Sequence, residues 1–173
     1  MTEERIVRMP AEWEGIVPTE TFLDEGKKIV EAASKQKIPL RLIGGVAIRF
    51  HVGDFAEFAK KLRRLGPSEQ EYTDLDFMSY AKFRDPLRKF FESIGYRKRK
   101  TTLSSAATQR HIYFHPDGWF SADVFFDKLL AANHPIDFRG RLELDSPTIS
   151  LADLLLEKLQ IVSFTEKDLK DSL

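Results

Sequence analysis

The sequence predicts a small α+β domain, a mixed β-sheet with helices packed on it and helices closing the C-terminus. Three observations predict it. Apolar residues recur at helical spacing over 19–36, 54–66 and 85–96. Short β-rich runs fall at 39–45 and 72–79, and a pair of them surrounds turn residues at 110–127. The resulting order is helix, strand, helix, strand, helix, hairpin, strand, helices, which suits a sheet covered by helices.

Residues 1–18 read as an irregular lead-in punctuated by Pro10 and Pro18. The first helix, 19–36, has Thr19 or Thr21 as its cap and Phe22, Ile29, Val30 and Ala33 as its apolar stripe. "PLRLIGG" (39–45) is a short apolar strand running into two glycines, and "VAIRFHV" after it suits helix or strand. "DFAEFAKKLRRLG" (54–66) reads as a clean helix, apolar at Phe55, Phe58, Ala59, Leu62 and Leu65 and stopped by Gly66. "YTDLDFMS" (72–79) is the next strand. "DPLRKFFESIGY" (85–96) is a helix with Pro86 in its first turn and Gly95 near its end. "RHIYFHPDGWFSADVFFD" (110–127) carries turn residues between two alternating runs, a hairpin signal. "RLELDSP" (141–147) reads as a last short strand. Residues 150–173 read as helical to the end, with a break near Ser163 to Thr165. There is no internal repeat or low-complexity linker, so 1–173 is read as one domain.

Composition narrows the chemistry. Of 173 residues, 42% are hydrophobic and 31% charged, an ordinary globular balance. Lys plus Arg equals Asp plus Glu at 27 each, so any electrostatic case for nucleic acid or membrane must be local. The absence of cysteine excludes disulfides, thiolate zinc sites and cysteine nucleophiles. The polar start "MTEERIVRMP" lacks the apolar core of a signal peptide, and no apolar run reaches the roughly 18 residues a membrane span needs. A soluble, cytoplasmic protein is expected.

The chemistry concentrates in a few places. Asp74 and Asp76, one residue apart, point to the same side of a strand, where they repel each other. Asp123 sits mid-strand between Ala122 and Val124, and carboxylates among apolar neighbours are costly unless paired or metal-bound. If those strands are neighbours, three hard oxygen ligands converge, a set that suits Mg²⁺ or Mn²⁺ and supports in-line phosphoryl transfer. The bland alternative is that the D-x-D caps a loop and Asp123 faces solvent. Gly44-Gly45 ends a strand before a helical segment, which lets backbone amides approach a phosphate, though two such glycines are more often a tight turn. Arg110 and His111 open the strand that pairs with that of Asp123 and would line the same cleft. Near the C-terminus, Glu157, Lys158, Lys167, Asp168 and Asp171 read mostly as a solvated charged face, with Lys158 singled out because apolar neighbours bury its stem. "YRKRK" (96–100) is read as a solvated strand or loop before a phosphate contact. The four histidines share no metal-ligand spacing, so zinc is not expected.

"LIGGVAIRFH", "YTDLDF" and "ADVFFD", in that order, resemble the nucleotidyltransferase superfamily typified by DNA polymerase beta. The closing "LLLEKLQIVSFTEKDLKDSL" is similar to the Lys, Lys-Asp and further Asp of abortive-infection toxin-type nucleotidyltransferases. The resemblance covers about 39–173. It implies a nucleotidyltransferase-like sheet and transfer of a nucleoside monophosphate from a nucleoside triphosphate, ATP or another, to a hydroxyl on RNA, protein or a small molecule. By the same resemblance, Gly44 and Gly45 hold the triphosphate, Asp74 and Asp76 bind Mg²⁺ or Mn²⁺, and Asp123 completes that metal site and helps activate the acceptor. Lys158 and Arg110 then serve the nucleotide, and Asp168 orients groups on its helix.

Two departures stand out. The connection from Gly45 to Asp74 is long for the fold, and Glu71 and Tyr72 stand where an arginine often precedes the acidic strand. By the same resemblance, so small an enzyme is expected to act with a partner chain or as a homo-oligomer, and the lack of a long apolar run predicts no membrane. Two other readings remain open: a catalytically inert nucleotide- or partner-binding protein of the same fold, as in a toxin–antitoxin-like pair, and a sugar-nucleotide transferase using the D-x-D.

Overall fold

The computed structural model describes residues 7–66, 69–100, 110–130 and 133–172. The start of the predicted lead-in and the last residue lie outside them. Seven strands are described: β1 (Leu40–Ile43), β2 (Asp74–Ser79), β3 (Arg97–Lys98), β4 (His111–Phe114), β5 (Ser121–Phe126), β6 (Lys128–Leu129) and β7 (Ile136–Asp137). The helices are α1 (Thr19–Lys35), α2 (Gly44–His51), α3 (Ala56–Lys61), α4 (Arg84–Ser93), α5 (Leu151–Leu159) and α6 (Glu166–Ser172). The fold is α+β, with a five-stranded mixed sheet in the order β1-β2-β5-β4-β3. All its pairings are antiparallel except β2 with β5. No helix among the described residues is long and apolar enough to cross a membrane.

The sheet's two faces follow from alternation along the strands. Leu75 and Phe77 of β2 line up with Ala122 and Val124 of β5, and all four are buried. Helices α1 and α4 cover this face. Phe91 of α4 stacks on Tyr113 at 4.3 Å, and Phe22 of α1 meets Phe120 at 4.9 Å. The opposite face carries Asp74, Asp76 and Asp123. The hairpin forms as predicted, with β4 and β5 antiparallel around a turn in which Gly118 N–H donates to the His115 carbonyl at 2.9 Å. The ambiguous "VAIRFHV" is helical, and the C-terminal helices break between Leu159 and Glu166.

Two expected elements differ. The predicted helix 54–66 is a 3₁₀ turn, Gly53–Phe55, followed by α3, which stops at Lys61. Its apolar stripe does not reach the core: Phe55 is 71% exposed and Phe58 53%. Arg63 adopts a left-handed φ of 48° and turns the chain so that Arg64 points inward. The predicted strand 141–147 is a series of turns. Its amides close local turns, Arg141 N–H onto the Phe138 carbonyl at 3.0 Å and Leu144 N–H onto the Arg141 carbonyl at 3.3 Å, while the Tyr80 hydroxyl accepts from Leu142 N–H at 3.3 Å and from Gly140 N–H, just before the stretch, at 3.1 Å and donates to Glu143 at 2.6 Å. Pairing resumes later, where Leu42 N–H donates to the Pro147 carbonyl and Ile149 N–H to the Leu42 carbonyl. β6 and β7 form a separate two-stranded antiparallel ribbon that the sequence pattern does not signal. Within "YRKRK", expected as strand or loop, Arg97 and Lys98 form the sheet's edge strand, where basic side chains disfavour pairing with another chain.

Candidate active site

The parallel pairing of β2 with β5 builds the site. It sets Asp76 opposite Asp123, and Asp74 lies two residues before Asp76 on the same face. On the other flank, Ile43 pairs with Asp76, so Gly44 enters α2 beside the carboxylates. Gly44 has a left-handed φ of 69°, and a Cβ there would lie 3.1 Å from Asp76 Oδ2. Both facts require glycine at this position.

The electrostatics are those of crowded acids. Burial pushes the Asp76 carboxyl well above its usual value, and Asp74, Asp123 and Glu157 add to the rise against the pull of Lys167. Asp76 is half-buried. Asp123 is 7% exposed. Burial raises its carboxyl too, and Asp74 adds to that, while Arg110 opposes it through an ion pair of 2.9 Å. Glu157, on α5, accepts from the Gly44 N–H at 3.2 Å. Burial raises it, with Lys158 and that amide opposing.

A second cluster lies behind the glycines. A Cβ on Gly45 would come within 2.4 Å of Arg64 Nη2. Arg64 donates to Asp171 from Nε at 2.7 Å and from Nη2 at 3.1 Å, and from Nη1 to the Glu71 carbonyl at 3.0 Å. Its guanidinium carbon stands 5.0 Å from the centre of the Tyr72 ring. Thus the stretch before the acidic strand, which has no arginine of its own, meets one from the long connection. Lys158 is 6% exposed and pairs with Asp171 at 2.9 Å and Asp168 at 3.3 Å. Thr165 and Asp168 cap α6 reciprocally, with Thr165 N–H donating to Asp168 Oδ2 at 3.1 Å and Asp168 N–H to the Thr165 hydroxyl at 3.4 Å. Burial alone would raise Asp168, yet the Thr165 and Lys158 hydrogen bonds bring it below the usual carboxylate value.

The sequence-predicted residues therefore fall into two groups. Asp74, Asp76, Asp123, Gly44 and Arg110 meet on the sheet face. Gly45, Lys158 and Asp168 belong to the buried ion cluster, where the Lys158 ammonium is already paired with acids rather than open to an anion. Sequence reasoning missed Arg64, which nothing sets apart within "KKLRRLG". It also gave Glu157 no role, although adjacency to Lys158 was a usable signal. Exposed Lys167 is the α6 cation that acts on Asp76.

The donor chemistry partly suits a hard divalent cation. Asp74 and Asp76 offer carboxylate oxygens on one face, but Arg110 holds the third carboxylate. Among the described residues, no group of three or more His, Asp or Glu is gathered closely enough to hold a metal ion.

No family model matches the sequence, and no curated protein matches it. Among solved structures, the solution structure of the antibiotic-resistance factor ANT(2'')-Ia matches with 16% identity over 89% of this chain and 80% of that one, at a TM-score of 0.49. At that identity and score the likeness decides neither a family nor a function.

Proposed function

We propose that this protein is a nucleotidyltransferase that moves a nucleoside monophosphate from a nucleoside triphosphate to a hydroxyl acceptor. The observation that carries the reading is the Asp76–Asp123 pairing across parallel strands, with Asp74 on the same face and Gly44 against Asp76. Apolar packing does not account for three acids there, and their mutual repulsion favours a site that receives positive charge.

In this reading Asp74 and Asp76 would hold Mg²⁺ or Mn²⁺, which supplies positive charge against the phosphates. The acceptor oxygen bonds to the α-phosphorus and pyrophosphate leaves. Asp123, whose carboxyl burial already raises, takes the hydroxyl proton. Arg110 Nη1 pairs with Oδ2 of Asp123, which leaves Oδ1 to accept that proton and the other nitrogens of the guanidinium to meet a phosphate oxygen. Lys167 is better placed than Lys158 to meet further phosphate charge, because it acts on Asp76 and Lys158 is already paired.

A specific observation favours a second reading. Glu157 occupies the Gly44 amide and Arg110 occupies Asp123, as expected of an inert nucleotide- or partner-binding protein. One experiment separates the two. The full chain is incubated with each labelled nucleoside triphosphate, Mg²⁺ or Mn²⁺, and cell extract, beside Asp74→Ala and Asp76→Asn. The proposal expects a labelled acceptor with wild type only. Tight nucleotide binding without label supports the inert reading. No label together with nucleotide binding unchanged in Asp74→Ala overturns the proposed site.

A further inference from the structure

We infer that the β4–β3 half of the aspartate-bearing sheet face binds a single-stranded nucleic acid, whose terminal hydroxyl is the acceptor. The acceptor role rests on the nucleotidyltransferase reading; the binding surface does not. Strand register carries the inference. One row across the sheet runs Asp74, Ser121, Phe114, Arg97. The next runs Asp76, Asp123, Ile112 and then Arg99, whose N–H donates to the Ile112 carbonyl at 2.8 Å. Residues two apart along a strand share a face, so both rows lie on one surface. That surface is acidic on β2 and β5 and basic at the β3 edge. Neighbouring strands lie about 4.8 Å apart, so the arginine backbones stand roughly 10 Å from the strand of Asp123. Arg97 and Arg99 are exposed, and neither forms an ion pair among the described residues.

The polarity of the surface selects the ligand. Arginines at the edge attract anions, and Asp74 and Asp123 repel them. A ligand that spans both halves therefore carries charge along its body and none at the end that reaches Asp123. A single strand ending in a hydroxyl has that form, with phosphates for Arg97 and Arg99. Half-buried aromatic rings stand on the same face. Phe114 lies between Ser121 and Arg97, and Phe125, opposite Met78, has the Arg110 guanidinium carbon 5.8 Å from its ring centre. Bases stack on such rings whatever their sequence. A small hydroxyl compound reaches Asp123 but leaves Arg97 and Arg99 unengaged, and an acidic peptide brings charge without bases to stack. Lys98 belongs to the other face, because it pairs with Tyr113, which stacks on Phe91 of α4. In the transfer, the terminal hydroxyl oxygen bonds to the α-phosphorus, the bond to pyrophosphate breaks, and the hydroxyl proton passes to Asp123.

The test uses the full chain and fluorescein-labelled single strands of about 12 nucleotides, RNA and DNA, each with a free 3′ hydroxyl, read by fluorescence anisotropy. Binding of either supports the inference, and the tighter one identifies the sugar. The matching duplex, whose bases cannot reach Phe114, should bind at least about tenfold more weakly. Arg97→Gln with Arg99→Gln should lower affinity at least about tenfold and reduce the slope of log affinity against log salt by about 1.4, the share of two phosphate contacts. Phe114→Leu, which keeps apolar bulk, should lower affinity about fivefold. Lys98→Gln removes one charge from the same segment on the other face and should bind as wild type does. No binding of either strand, equal binding of the duplex or of a poly-glutamate peptide, an unchanged salt slope in the double variant, or a loss in Lys98→Gln would each overturn the inference. A labelled nucleoside triphosphate and Mg²⁺ then separate the two claims. Label on the strand supports both. Label on another acceptor in cell extract, with none on the bound strand, overturns the strand as acceptor and leaves nucleotidyl transfer standing. Face-specific binding with no label on any acceptor overturns nucleotidyl transfer and leaves the strand site standing.

Discussion

Replacing Asp76 with asparagine should make the metal-free protein more stable once the pH passes the raised value of the Asp76 carboxyl. Asparagine keeps the shape and removes the charge. Neighbouring strands lie about 4.8 Å apart, which sets the scale for the gap between facing Asp76 and Asp123 carboxylates. Two like charges about 5 Å apart at an effective dielectric near 20 repel by about 3 kcal/mol. Arg110, Lys167 and the remaining solvent contact of Asp76 offset part of this, leaving about 1–2 kcal/mol. For a chain of 173 residues that is a rise in Tm of about 3–6 °C. The pH dependence has a definite sign. Burial and its acidic neighbours raise the Asp76 carboxyl in the folded state, so the folded protein holds the proton more tightly than the unfolded chain. Wild-type stability therefore falls as pH rises from the ordinary aspartate range through the raised value. The advantage of Asp76→Asn should be small near pH 4 and full above the raised value. Circular-dichroism melts in EDTA between pH 4.5 and 8 measure it. A variant no more stable than wild type at pH 8, or an advantage that shrinks as pH rises, would refute the reasoning.

Two further substitutions probe the ion cluster. Lys158→Met keeps the buried stem but leaves Asp168 and Asp171 short of a cation, so urea denaturation should show a loss of about 3 kcal/mol, and a loss under about 1 kcal/mol would contradict a buried pair. Gly45→Ala drives a methyl into the Arg64 guanidinium, which three hydrogen bonds hold in place. It should cost about 2 kcal/mol, and much less of that when Arg64→Ala is also present; additive losses in the double-mutant cycle would show no contact.

The helices 19–36 and 85–96 and the hairpin 110–127 were legible because each signals itself locally, by an apolar stripe, a cap or a turn between alternating runs. The stretch 54–66 misled because its stripe is real but faces a cavity instead of the core. The stretch 141–147 misled because its amides close local turns and the Leu142 amide bonds to the Tyr80 side chain, about sixty residues upstream, and periodicity carries no trace of that bond.

The sequence alone determined the D-x-D, a third aspartate in a later strand-like run and the glycine pair at a strand end, because side-chain alternation and the backbone freedom of glycine are properties of a few adjacent residues. Only the tertiary structure decided that β2 and β5 lie side by side in register, that Arg110 holds Asp123, and that Arg64, Asp171 and Lys158 close behind Gly45. The reason is physical. Strand register and ion-pair choice are settled by groups far apart in the chain competing for the same buried space, and that competition exists only once the chain has folded.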